Sequence, residues 1–218
     1  MSQTVSEHYD DRYFAWQASV GEFGGWANQT KFIDFVREED EVLDFGCGGG
    51  FLLKSLQCKT RAGVEVNPAA AATARENGLE VYSRVEDVPD ESVDVIVSNN
   101  ALEHTLHPFA ELKGLYAKLR AGGKIVFVVP CENISYRYRP GDINHHLYSW
   151  SPMCLGNLFT EAGFTLIESK PYIHKWPPQH RLIARLGGRR AFELACRLYG
   201  RCARTWFQVR AVGTKPGR

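Results

Sequence analysis

EVLDFGCGGGFLL, residues 41–53, places four glycines within five positions directly after an apolar run that contains an acid. Val42, Leu43 and Phe45 read as a buried strand, Gly46 as the turn that ends it, and Phe51 to Leu53 as the start of a helix. In open parallel sheets, ligands bind beyond the carboxyl ends of the strands, where a glycine turn lets backbone amides come close to them. A dinucleotide would bring an anionic pyrophosphate to this place, and the Asp44 carboxylate, two residues before Gly46, would repel it. The same carboxylate attracts a ligand that carries an ammonium and a sulfonium. The expected ligand is therefore S-adenosylmethionine. Glu65 follows 19 residues after Gly46 at the end of a second strand, where a carboxylate accepts from ribose hydroxyls.

Around this stretch the chain alternates short β-branched runs with helical stretches. Strands are predicted over 41–45, 61–66, 80–83, 93–99, 123–130, 164–173 and 205–215, and helices over 49–57, 68–77, 108–120 and 151–162. Pro68 suits the first turn of its helix and Gly78 the stop, while RAGGK at 120–124 reads as a helix end feeding the fifth strand. The expected fold is α/β: a doubly wound, mostly parallel seven-stranded sheet with right-handed crossovers. A single domain is expected over 1–218, made of a helical leader or lid (1–40), a cofactor-binding core (41–173), a basic helical insertion (174–204) and a last strand and tail (205–218).

The 218 residues are 44% hydrophobic and 23% charged, which suits one globular domain and argues against disorder. No apolar run approaches the roughly 18 to 20 residues that span a bilayer, and the first residues have no signal-peptide pattern, so a cytoplasmic location is expected. Six cysteines without a CxxC pair read as reduced thiols, mostly buried. The net charge of +1 hides an asymmetry, because residues 175–218 hold eleven Lys and Arg against one acid, Glu193.

VLDFGCGGG (42–50), GVEVNP (63–68), RVEDVPDESVDVIVSNNALEH (84–104), LRAGGKIVFVVP (119–130) and QVRAVGTKP (208–216) together resemble the class I S-adenosylmethionine-dependent methyltransferases. The resemblance implies a Rossmann-like methyltransferase fold with S-adenosylmethionine as cofactor. It implies that Asp44, Gly46, Cys47 and Gly48 surround the methionine part, and that Glu65 holds the ribose with Val66 and Asn67 beside it, Asn67 close to the adenine edge. Val85 and Glu86 would flank the adenine through backbone contacts, since Arg84 departs from the family's usual acid. Asn99, Asn100 and Leu102 follow the fourth strand, where the family's loop runs beside cofactor and acceptor. The leader 13–32 would fold over the cofactor, with Tyr13, Trp16 and Trp26 excluding water or else anchoring a helix, and Trp16 also facing the acceptor.

An oxygen acceptor must lose a proton as it takes the methyl, which calls for a base near neutrality, most often histidine. His104 lies just past the fourth strand. His145 and His146, with Tyr148 as a further acceptor contact, lie in the long loop 131–150 past the fifth, so all open at the glycine edge of the sheet. These three histidines are the candidate bases. Glu103, His104, Asp142, His145 and His146 could also ligate a metal, but spacing across two loops cannot establish a site and no metal is expected. The expected activity is O-methylation of a small molecule or of a glycan or lipid-linked intermediate, with N-methylation of an amine as the alternative. A non-catalytic nucleoside-binding protein docking through its basic tail is the reading from another class. The cations suit an anionic acceptor, or a peripheral membrane contact through 174–204, whereas nucleic acid is not expected because no RNA-reading motif accompanies them.

Overall fold

A computed structural model describes residues 11–203 and 206–217; the side chains of 11–19 and of Trp206 lie outside the described part. Along the chain run α1 (Asp11–Asn28), β1 (Glu41–Phe45), α2 (Phe51–Ser55), β2 (Thr60–Val64), α3 (Pro68–Glu76), β3 (Glu80–Tyr82), β4 (Val93–Asn99), α4 (Pro108–Lys118), β5 (Leu119–Glu132), α5 (Pro152–Glu161), β6 (Thr165–Tyr172), α6 (His180–Cys202) and β7 (Trp206–Thr214). The strands form one sheet in the order β3-β2-β1-β4-β5-β7-β6. Its first five strands are parallel. β7 runs antiparallel between β5 and β6.

Alternation along the central strands sends side chains to two cores. From β5, Ile125, Phe127 and Val129 pack with Leu112 and Leu115 of α4 and Leu155 and Phe159 of α5. The intervening Val126 and Val128 pack on the opposite face with Leu52 and Leu53 of α2, Ala74 of α3 and Phe32. Both faces are therefore covered by helices, and the strand ends are left as the place for a site.

Most element boundaries fall a few residues from the sequence expectation, and two of the differences have a visible cause. β2 stops at Val64 because its carbonyl is taken by the amides of Gly46 and Cys47, while the amide of Glu65 turns to Tyr82 of β3. RAGGK does not end a helix: α4 stops at Lys118, and Leu119 to Lys124 bulge against Val93 to Val95. Gly122, at a φ of 81°, takes the left-handed conformation that this bulge needs. The cysteines are all free, but only Cys47 and Cys196 are buried; Cys154 and Cys202 are exposed.

The basic insertion is α6, kinked at Gly188 (φ 64°, ψ −166°). Its Phe192 and Cys196 pack with Ala27 of α1, and Phe23, Trp26 and Trp176 close around them. The Arg189 guanidinium stacks 4.3 Å from the Trp26 ring and donates to the Trp26 carbonyl and to Gln29 Oε1. The leader and the insertion thus hold each other against the edge of the sheet where the glycine turn lies.

Candidate active site

A cavity of about 350 Å³ opens at the carboxyl ends of the central strands, within the size range of small-ligand sites. Its lining combines the glycine turn (Asp44, Gly46, Cys47, Gly49), α1 (Val20, Gly21, Gly24, Gly25, Asn28), the start of α2 (Phe51, Leu52), the end of β4 (Asn99, Asn100, His104) and the long loop (Asn144, His146).

The turn is shaped by three glycines with left-handed backbone: Gly46 (φ 74°), Gly48 (52°) and Gly50 (77°). A Cβ on Gly46 would also stand 2.4 Å from that of Ala101, so the turn and the loop after β4 touch with no room for a side chain. The Glu65 carboxylate holds the turn from the neighbouring strand, accepting from the amides of Gly48 (Oε2, 2.8 Å) and Asn67 (Oε1, 2.8 Å).

Asp44 is almost fully buried, and its Oδ1 has no hydrogen-bond partner. Burial pushes its carboxyl well above the usual carboxylate range, and the charge of Glu65 pushes in the same direction. A buried acceptor without a donor costs roughly 1–3 kcal/mol, and an ammonium placed in the cavity would satisfy it. The donor set therefore fits the methionine end of S-adenosylmethionine: an acid that needs a cationic partner beside glycine backbone that leaves space for it.

Other candidates occupy different surroundings. The Asn67 side chain caps α3, its Oδ1 accepting from the amides of Ala69 and Ala70 at 2.9 Å, and is buried outside the cavity lining. Val66 is exposed, while Val85 and Leu102 belong to the core beneath α4. Glu86 is exposed in a 3-10 turn. Neither Glu65 nor these residues are in the cavity lining.

Of the three histidines, the structure brings two together. The rings of His104 and His146 lie 5.0 Å apart, each about nine-tenths buried, and both line the cavity. His146 reaches it because the long loop folds back: the amides of Leu147 and Tyr148 donate to the Glu103 carbonyl, and that of Trp150 to Pro130. Its Nδ1 meets Glu132 Oε1 at 2.7 Å. His145 is exposed at a φ of 46° and lies outside the lining, its amide donating to Asp142 Oδ2 at 3.2 Å. Tyr148 is also outside the lining, stacked on Trp150 with its hydroxyl donating to the Leu106 carbonyl.

The leader covers the cavity, but with a different surface from the expected one. α1 is kinked at Gly21 (φ 34°, ψ −127°) and presents Gly21, Gly24 and Gly25 to the cavity. A Cβ on Gly25 would stand 2.1 Å from the Phe51 carbonyl oxygen. Trp26 faces α6 instead of the cavity. The side chains of Tyr13 and Trp16 lie outside the described residues.

Sequence reasoning missed Lys31 and the burial of Glu103 behind the cavity. Lys31 is buried and donates to Asn99 Oδ1 at 2.8 Å. Burial lowers its ammonium to about 7, against opposing pulls from Cys196 and Glu103. Glu103 is fully buried, and neither of its carboxylate oxygens has a hydrogen-bond partner. Its carboxyl rises to about 8, chiefly through burial. Asn100 holds a positive φ of 56° and accepts from Gln208 Nε2 of β7. The double glycine at 24–25, inside a helical stretch where each glycine costs about 1 kcal/mol relative to alanine, was the readable signal for α1. Lys31 had none, because a single lysine in a polar stretch reads as solvated.

Comparison with known proteins gives the family and the fold. Residues 11–169 match the family described as methyltransferase domain. An uncharacterised methyltransferase of Schizosaccharomyces pombe is 36% identical over 44% of this chain and 41% of its own length. A ubiquinone biosynthesis O-methyltransferase of Pseudomonas putida is 33% identical over 40% and 43%. The matches thus cover less than half the length of these curated relatives. Among solved structures, a phosphoethanolamine N-methyltransferase of Haemonchus contortus in complex with S-adenosylmethionine shares the fold at a TM-score of 0.71 and 15% identity, over 99% of this chain and 60% of that one. An S-adenosylmethionine-dependent methyltransferase of Thermotoga maritima does so at 0.69 and 18%, over 97% and 100%.

Proposed function

The chain belongs to the class I S-adenosylmethionine-dependent methyltransferase family, and from that premise we propose that it methylates an oxygen of a small-molecule or glycan acceptor. One observation carries the reading. A buried acid whose Oδ1 has no donor, Asp44, and a pair of imidazoles, His104 and His146, line the same cavity. S-adenosylmethionine supplies a methyl on positively charged sulfur. Asp44 holds the donor's ammonium, with the turn at Gly46 to Gly48 against the methionine part, and Glu65 fixes that turn while offering its remaining lone pairs to ribose hydroxyls. α1, through Gly21 to Asn28, excludes water from above, which strengthens each of these interactions. The acceptor hydroxyl lies on the side of His104 and His146 and loses its proton there as its oxygen takes the methyl.

The acceptor is identified by supplying radiolabelled methyl donor with panels of hydroxylated small molecules and glycan intermediates and reading label transfer. Label on oxygen is expected, with transfer weakened in His104→Ala and His146→Ala. Full transfer by both variants to an amine would replace this reading with N-methylation.

Surface chemistry favours an anionic membrane as the place of work. Leu182 and Leu186 lie one turn apart before the α6 kink, Leu194 and Leu198 one turn apart after it, and all four are 46–75% exposed. Exposed Arg181, Arg185, Arg190, Arg197 and Arg201 accompany them. Such a face suits an anionic bilayer surface. The expected result is co-sedimentation with anionic, not neutral, vesicles, reduced in Leu186→Glu/Leu194→Glu. Equal binding of wild type and this variant would exclude the contact.

A further inference from the structure

The most unusual group that methyl transfer leaves without a role is Glu103. A carboxylate with no exposure normally has an ion-pair or hydrogen-bond partner. Both oxygens of Glu103 lack a hydrogen bond, and the nearby Lys31 turns its ammonium to Asn99 instead. Facing Glu103 are two imidazoles. His104 Nε2 stands 3.6 Å from Glu103 Oε1, beyond a good hydrogen bond but close to the separation of two ligands on one small cation. One ligating atom each from Glu103, His104 and His146 lies within 4.8 Å of the others.

From this juxtaposition we propose that Glu103, His104 and His146 bind a divalent cation of the zinc class at the floor of the active-site cavity. Two imidazoles and one carboxylate form a set that zinc uses when a fourth position stays open for substrate. Zn–N distances of about 2.0–2.1 Å in a tetrahedron place ligand atoms about 3.3 Å apart, so the cluster needs only a modest contraction. Nitrogen ligands favour zinc-class metals over magnesium, which prefers oxygen.

The surroundings also suit ligation. His146 Nδ1 is engaged by Glu132 Oε1 at 2.7 Å, which directs the ring's other nitrogen inward, the carboxylate–histidine–metal relay that orients ligands in zinc proteins. The loop carrying His146 is tied to the Glu103 turn through two amides on the Glu103 carbonyl, so both sets of ligands move as one piece. The open position faces the cavity through His104 and His146, where an acceptor oxygen would be held and its proton made easier to lose. The inference rests on the proposed methyl-transfer reading for that last role, since the imidazoles then act as ligands and the cation does the activating; the site itself does not depend on it.

The test uses the full chain stripped with chelator and titrated with Co²⁺ and then Zn²⁺, followed by visible absorption and metal analysis. One Co²⁺ per chain, with ligand-field bands that Zn²⁺ abolishes, is expected. Glu132→Gln should weaken binding about 10–100-fold, His146→Gln and Glu103→Gln more than that, and His107→Ala not at all. His146 borders the cavity, so its variant remains informative if Glu103→Gln fails to fold. Absence of stoichiometric Co²⁺, or binding unchanged in His146→Gln, overturns the site, as does activation by Mg²⁺ alone. Stoichiometric Co²⁺ in a chain that methylates nothing would retire the proposed methylation and leave the site standing. Chelator-resistant methylation without bound Co²⁺ would do the reverse.

Discussion

The Glu65 carboxylate accepts the Gly48 amide at 2.8 Å, tying the end of β2 to the turn that leaves β1. A residue expected to hold ribose therefore also shapes the loop proposed to meet the methionine part. Burial raises its carboxyl above the ordinary value, and the backbone amides of Asn67 and Gly48 pull the other way without cancelling that rise.

Glu65→Ala is expected to weaken S-adenosylhomocysteine binding by about tenfold or more, because it removes a charge-assisted hydrogen bond of roughly 1.5–3 kcal/mol and frees the turn. Glu65→Gln restores one acceptor and one donor, so its Gly48 contact survives and its loss is smaller. Calorimetric titration of both variants checks the order.

Asp44→Asn separates binding from folding. The folded carboxyl lies far above its unfolded value, so the ligand-free protein takes up a proton relative to the unfolded chain and loses stability as pH rises above about 4. The variant should be at least as stable as wild type at pH 8 in thermal melts, yet bind S-adenosylhomocysteine at least about tenfold more weakly. Equal affinity would remove Asp44 from the site.

Gly25→Ala places a Cβ 2.1 Å from the Phe51 carbonyl oxygen. Overpacking of this kind costs about 1–3 kcal/mol, and relief requires α1 to lift from α2. The expected outcome is a lower melting temperature together with weaker donor binding. Gly78→Ala, whose Cβ would meet nothing within 4 Å but which sits at a φ of 88°, should destabilise without changing ligand affinity per folded molecule.

His174 predicts the acid limb of stability. It is buried with neither ring nitrogen hydrogen-bonded, and burial, helped by Lys31 and Arg197, lowers it from 6.5 to about 3. The unfolded chain binds the proton first, so this group takes stability away as pH falls from 6.5 toward 3, at up to about 1.4 kcal/mol per pH unit. His174→Phe, placed beside Phe192 and Tyr172, should flatten melting temperature against pH over that range. An unchanged slope would assign acid lability elsewhere.

Much of the site could be read from local chemistry. EVLDFGCGGG specifies strand, turn and acid within ten residues, and the structure reproduces β1 at 41–45. Residues that act through distant partners could not be read. His145 and His146 are adjacent and chemically identical, and only the anchoring of Leu147 and Tyr148 on the Glu103 carbonyl decides that His146 faces the cavity. Asn67 carried the look of a ligand contact, but a residue before Pro68 is also an N-cap, and its one side-chain oxygen serves the helix.

The sequence by itself determined the alternation of strands and helices, the glycine turn and the acid placed before it, because backbone conformation and hydrophobic period are short-range properties. Only the tertiary structure decided that glycines of α1 line the cavity, that Lys31 and Glu103 are buried, with Lys31 on Asn99, and that two imidazoles from separate loops face each other. Those outcomes depend on burial and on contacts between residues far apart in the chain, such as Lys31 and Asn99, 68 positions apart. Burial of that kind comes into being only when the sheet closes under its helices.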